Sequence, residues 1–139
     1  MKFCCLFVFL SIAQITYPQT EDSLCRLYEI LNEIERNENL NRYKMLSFLK
    51  SYENSDLKNN AEFSEWRSEA IIDIINHPSN LQKMLSVLKD REYLCPYVLE
   101  ELAFPIHELD YSKCIENIRK VKGDSNVKKR IIAVLRQGD

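Results

Sequence analysis

Glycine is almost missing from this chain, with two residues in 139, and proline is scarce at four. Sandwiches and barrels need turn chemistry about every ten residues, so this composition argues against both. Two histidines leave little scope for a metal centre or a catalytic triad. Nineteen basic residues against twenty-one acidic ones give a net charge of −2 and a pI near 5.8. A global basic excess of the nucleic-acid-binding kind is therefore absent. Neither Cys-x-x-Cys, a Gly-rich phosphate loop, His-Glu-x-x-His nor Gly-x-Ser-x-Gly occurs, so no cofactor and no enzymatic reaction is indicated. What is present is a chain 45% hydrophobic and 29% charged, enough for one domain with a real core.

The longest apolar run lies at the start. Met1-Lys2 supplies a positive charge and Phe3 to Ala13 are apolar or small, too few for a bilayer, which takes about 20 residues. Ser11 and Ala13 stand at the −3 and −1 positions of a signal-peptidase cut before Gln14. Residues 1–13 read as a signal peptide, and residues 14–139 as a single domain that is periplasmic or secreted. No Asn-x-Ser/Thr acceptor is present, which fits a bacterial source. With Cys4 and Cys5 removed, Cys25, Cys95 and Cys114 remain. A regular stack of helices would hold Cys95 and Cys114 beyond the roughly 7 Å Cα limit for a bridge, so all three are expected reduced.

Apolar residues recur at spacings of three and four, and no segment alternates at two. Seven helices are expected. The first runs from Glu21 to Arg36 with Leu24, Leu27, Leu31 and Ile34 on one face. In the second, capped by Asn39 or Asn41, Tyr43, Leu46, Leu49 and Tyr52 face inward. The polar stretch 51–60 reads as loop. The third, Phe63 to Asn76, carries Trp66, Ala70, Ile71, Ile74 and Ile75. Ser79 caps the fourth; the fifth runs from Tyr93 to Phe104, with Pro96 in its first turn. Asp110 caps the sixth, which Gly123 ends as a left-handed cap, and the seventh spans Ser125 to Arg136.

The helices repeat. Lys44–Lys50 (KMLSFLK) and Lys83–Lys89 (KMLSVLK) agree at six of seven positions, 39 residues apart. At an offset of 33, Leu85, Leu88, Leu94, Val98, Leu99 and Leu102 fall on Ile118, Val121, Val127, Ile131, Ile132 and Leu135. A two-helix period of this size marks an α-solenoid. The turns Leu88-Lys89-Asp90 and Gly123-Asp124-Ser125-Asn126-Val127-Lys128, each with a leucine eight residues beyond Leu94 or Val127, resemble those of HEAT-like repeats. Leu94-Cys95 departs from the family's Val-Arg/Lys pair, and its usual proline and small alanines are missing. The resemblance implies a protein-binding scaffold and no particular chemistry. The expected architecture is a short right-handed α-solenoid, residues 20–38 capping three helix pairs over 40–136; the alternative is a compact helical bundle.

Candidate site residues follow from charge and aromatics. Eight basic residues against two acids lie between Lys113 and Arg136, whereas Glu21 to Glu38 holds six acids and two arginines. Arg119, Lys120, Lys122, Lys128, Lys129 and Arg130 cluster about the last turn, where their potentials add toward an acidic protein partner. The acidic first helix is itself such a partner in weak head-to-tail self-association. Trp66 and Tyr97, opening second-helix positions, are candidates for a concave binding face. Glu62, Glu65, Glu69, Glu100 and Glu101 are plentiful helix carboxylates, which keeps an exported glycan-acting hydrolase as an alternative; a small-ligand carrier is another. Asp73 is expected on the solvent face, and His77 and His107 are expected to be solvated. The leading expectation is an exported protein-binding module without catalysis, such as a periplasmic immunity protein that plugs a toxin.

Overall fold

The structure, a computed structural model, describes residues 19–138, and the side chains of residues 23–138. The segment read as a signal peptide, 1–13, lies outside the described residues. Every regular element among the described residues is helical: α1 (Gln19–Glu35), α2 (Arg42–Lys50), α3 (Ser55–Lys58), α4 (Ala61–Asn76), α5 (Pro78–Asp90), α6 (Cys95–Ala103), α7 (Tyr111–Lys120) and α8 (Ser125–Gly138). Short 3-10 turns, Ser51–Glu53 and Glu92–Leu94, follow α2 and precede α6. The extra helix arises inside the stretch expected as loop, where a single turn, α3, buries Leu57.

Helix ends follow from local chemistry. Asn41, Asn60 and Asp110 accept the backbone N–H three residues on at 2.9, 3.0 and 2.9 Å, satisfying donors that a helix start leaves open. Helix α5 starts earlier than Ser79 would allow, because His77 Nδ1 accepts from Asn80 N at 3.3 Å and Pro78 occupies the first turn. The left-handed cap belongs to α1: Asn37 has φ 56°, and Glu38 N–H and Asn37 N–H reach back to Glu33 and Ile34 carbonyls, both at 2.9 Å. Gly123 is not such a cap, since no described glycine has positive φ and α7 closes on an extended Val121. Space is what Gly123 supplies. A Cβ there would stand 2.8 Å from Leu85 Cδ1 and 3.2 Å from Leu85 Cβ.

Helices α4, α6 and α8 pack in succession and α2 lies on α5, as stacked hairpins require. Helix α4 also meets α1, α5 and α7, so the stack closes around it. The pair that the 33-residue offset would stack, α5 and α7, is not among the main packed pairs; α4 meets both instead. Burial nevertheless follows the repeat. Leu94, Val98 and Leu102 are buried, and so are their counterparts Val127, Ile131 and Leu135. Leu85, Leu88 and Ile118 are also buried, whereas Leu99, Val121 and Ile132, expected in the core, are half-buried against it.

In α2 and the 3-10 turn after it, the inward residues are Met45, Phe48, Leu49 and Tyr52. Leu49 and Tyr52 face inward as expected, whereas Tyr43 is 69% exposed and Leu46 half-buried. Both the expected and the observed sets have helical spacing, and contact with α5 selects the one matching Met84, Val87 and Leu88. Arg42 ties the two helices from outside, donating to Ser86 Oγ at 2.8 Å and pairing with Asp90. From within, buried Asn80 accepts from Leu40 N at 2.9 Å and donates to Glu38 O at 2.8 Å, fixing the α1–α2 connection on α5. All three described cysteines are free, Cys25 exposed and Cys95 and Cys114 buried. None of the described helices is long and apolar enough to cross a membrane.

Candidate partner-binding site

Wrapped by neighbours, α4 buries residues on more than one stripe, Arg67 and Ser68 among them. Arg67 is only 5% exposed. Its guanidinium lies over the Tyr52 ring, 3.9 Å from the centroid, and 5.7 Å from that of Phe63. One N–H donates to Ser51 O at 3.4 Å, a long bond, and Nε has no partner among the described residues. The Tyr52 hydroxyl is also buried, beside the Glu101 carboxylate. Burial first, then the nearby Glu101 carboxylate, pushes its pKa well above the ordinary tyrosine value, so it remains a donor.

These groups line a pocket of about 220 Å³, together with Lys58 of α3, Tyr97, Glu100 and Glu101 of α6, and Phe104 and Ile106 beyond it. Tyr97 stacks on Tyr52 with centroids 6.2 Å apart and planes at 22°. Phe104 is 79% exposed and Ile106 56%, two of the four large apolar residues exposed among those described. Helix α6 stops before Pro105, which carries the chain out of the helix and turns these two side chains outward. His107 brings the loop beside α4: its Nε2 lies 3.3 Å from Glu69 Oε1 and 4.0 Å from Glu65 Oε1, without hydrogen-bond geometry to either. It is half-buried rather than solvated.

A larger groove of about 700 Å³ runs between α1 and α2, past Arg26, Glu29, Tyr43, Lys44 and Lys50. Several of its polar groups are engaged. Lys44 pairs with Glu33 at 2.7 Å, Asn41 caps α2, and Ser51 Oγ donates to Phe48 O. A buried side-chain donor without a partner among the described residues lines the smaller pocket, and none lines the larger.

The residues expected to bind divide. Tyr97 lines the pocket, but Trp66 packs against Tyr28 of α1, centroids 5.5 Å apart, so the two do not share one face. Of the basic cluster, Lys120 pairs with Glu116 at 2.6 Å and Arg130 contacts Glu92 at 3.3 Å. Lys128 Nζ donates to Arg119 O and Val121 O at 3.2 and 2.8 Å, closing the C-terminus of α7. Arg119, Lys122 and Lys129 are exposed. At that end Val121, Ile132 and Val134 pack on the core; among the described residues the exposed large apolar ones are Tyr43, Tyr93, Phe104 and Ile106. Asp73 is half-buried, not fully solvated. Burial, then Glu69 and Glu35, raises its pKa.

Sequence reasoning missed Arg67, Phe104 and Ile106. The available signal was the tripeptide Phe104-Pro105-Ile106, two large apolar residues around a helix-stopping proline. No family model matches the chain, nor does any curated protein or solved structure.

Proposed function

We propose that this is an exported α-helical protein-binding module that holds its partner at the loop between α6 and α7. The observation that carries the reading is the exposure of Phe104 and Ile106 beside a pocket containing a buried guanidinium. Apolar anchors next to a polar recess are what binding hot spots consist of. The exposed Arg119, Lys122 and Lys129 steer an acidic partner and set its rate of approach. Export rests on the order of charge, apolar run and small residues through Ala13. In a periplasm, a small module of this kind that acts by occupancy alone fits the role of an immunity-type inhibitor.

Capture from cell-envelope and culture fractions tests the reading. Phe104→Ser with Ile106→Ser should lower retention of the partner at least about tenfold, the scale of a lost hot spot, while the thermal midpoint stays unchanged. Equal retention by that variant overturns it.

A further inference from the structure

We propose that the Arg67–Tyr52 pocket recognises a carboxylate carried beside an apolar side chain of a protein partner. This rests on the protein-binding reading above and supplies the chemistry of its docking site. Arg67 is 5% exposed, yet its charge makes no ion pair with any described carboxylate. Stacking on Tyr52 offsets part of the desolvation, but a buried charge left without a counter-ion is costly. One donor, Arg67 Nε–H, is unmatched in the recess, and the neighbouring Tyr52 hydroxyl faces the Glu101 carboxylate. A carboxylate accepts from Arg67 Nε–H and neutralises the guanidinium, whereas a neutral acceptor does only the first.

Size and walls say what accompanies that carboxylate. At about 220 Å³ the pocket falls below the roughly 300–1,000 Å³ of small-molecule sites and suits one or two side chains. Tyr97, Phe104 and Ile106 make its walls apolar. Exposed surface of Phe104 and Ile106 continues outside it, more than a free small acid would cover, so the carboxylate arrives on a macromolecule. Lys58 at the rim adds positive charge, and Glu100 and Glu101 oppose it. Glu101 is the resident competitor, because its charge occupies the wall that an incoming carboxylate must approach.

The probes are N-acetyl-phenylalanine and its primary amide, titrated into the protein and followed by NMR. The acid should bind about tenfold tighter than the amide, the difference between charge-assisted and neutral hydrogen bonds. Shifts should centre on Arg67 Nε–H, Tyr52, Tyr97 and Phe104. Glu101→Gln should tighten the acid several-fold and leave the amide unchanged. Arg67→Lys should abolish the preference; if that variant fails to fold, the acid–amide comparison and Glu101→Gln decide alone. Equal binding of acid and amide, or shifts remote from these residues, overturns the proposal. Should the preference fail while capture still depends on Phe104, the docking surface stands and its carboxylate chemistry falls. Should the preference hold while capture ignores Phe104, the surface falls instead.

Discussion

Asp124 and Asp73 are pushed in opposite directions by their surroundings. Asp124 accepts backbone N–H bonds from Val127 and Asn126, which lower its pKa below 3.8. Its contribution is full above that ordinary value and is lost as pH falls through the lowered one. Asp73 is raised above 3.8 by burial and by Glu69 and Glu35, so its contribution is present at low pH and is lost as pH rises through the raised value. Asp73→Asn should therefore stabilise the protein at pH 7, by less than about 1 kcal/mol since the group is partly screened, and confer nothing near pH 3. Urea unfolding at the two pH values measures it. Among Cys25, Cys95 and Cys114, only Cys25 should alkylate in the folded protein, because burial and Asp110 push the Cys114 thiol up to about 11 and Cys95 is raised by burial as well. Peptide mapping after a short pulse of iodoacetamide checks this; labelling of all three at one rate would contradict the packing.

The starts of α2 and α7 were legible because Asn41 and Asp110 cap them through bonds to residues three positions on, whereas Asn60 and His77, which cap α4 and α5, were not legible as caps. The inward face at α2 was legible at Leu49 and Tyr52 but not at its start, where Met45 and Phe48 rather than Tyr43 and Leu46 are buried and α5 packs. Arg67 was illegible for the same reason: an arginine between Trp66 and Ser68 reads as solvated unless α4 is known to be enclosed. Gly123 was assigned a role through φ when its role is close approach to Leu85. Gly123→Ala should therefore cost about 1–3 kcal/mol of overpacking, because Leu85 is fully buried and cannot swing aside. A chemical-denaturation midpoint equal to the parent's would show that the α7–α8 turn yields. Leu102→Ala should cost about 2–5 kcal/mol and Leu99→Ala distinctly less, because only Leu102 is fully buried.

Across the whole molecule, the sign asymmetry between the first helix and the last turn is legible in the sequence, but which charges are free is not. Lys128 closes α7 and Arg130 contacts Glu92, so reversing them disturbs the fold as well as the surface. Arg119→Glu, Lys122→Glu and Lys129→Glu together should slow association and flatten its salt dependence while leaving stability unchanged. Lys128→Glu alone should lower stability by about 0.3–1 kcal/mol, the worth of a cation at a helix C-terminus. The most direct test of where the molecule works is amide hydrogen exchange with and without the captured partner. Bound partner should slow exchange in the loop 104–110 and in the turn 51–53, the two backbone segments that frame the Arg67 pocket. Protection confined to residues 119–130, or to the groove between α1 and α2, with no change at Phe104 and Tyr52, would contradict it.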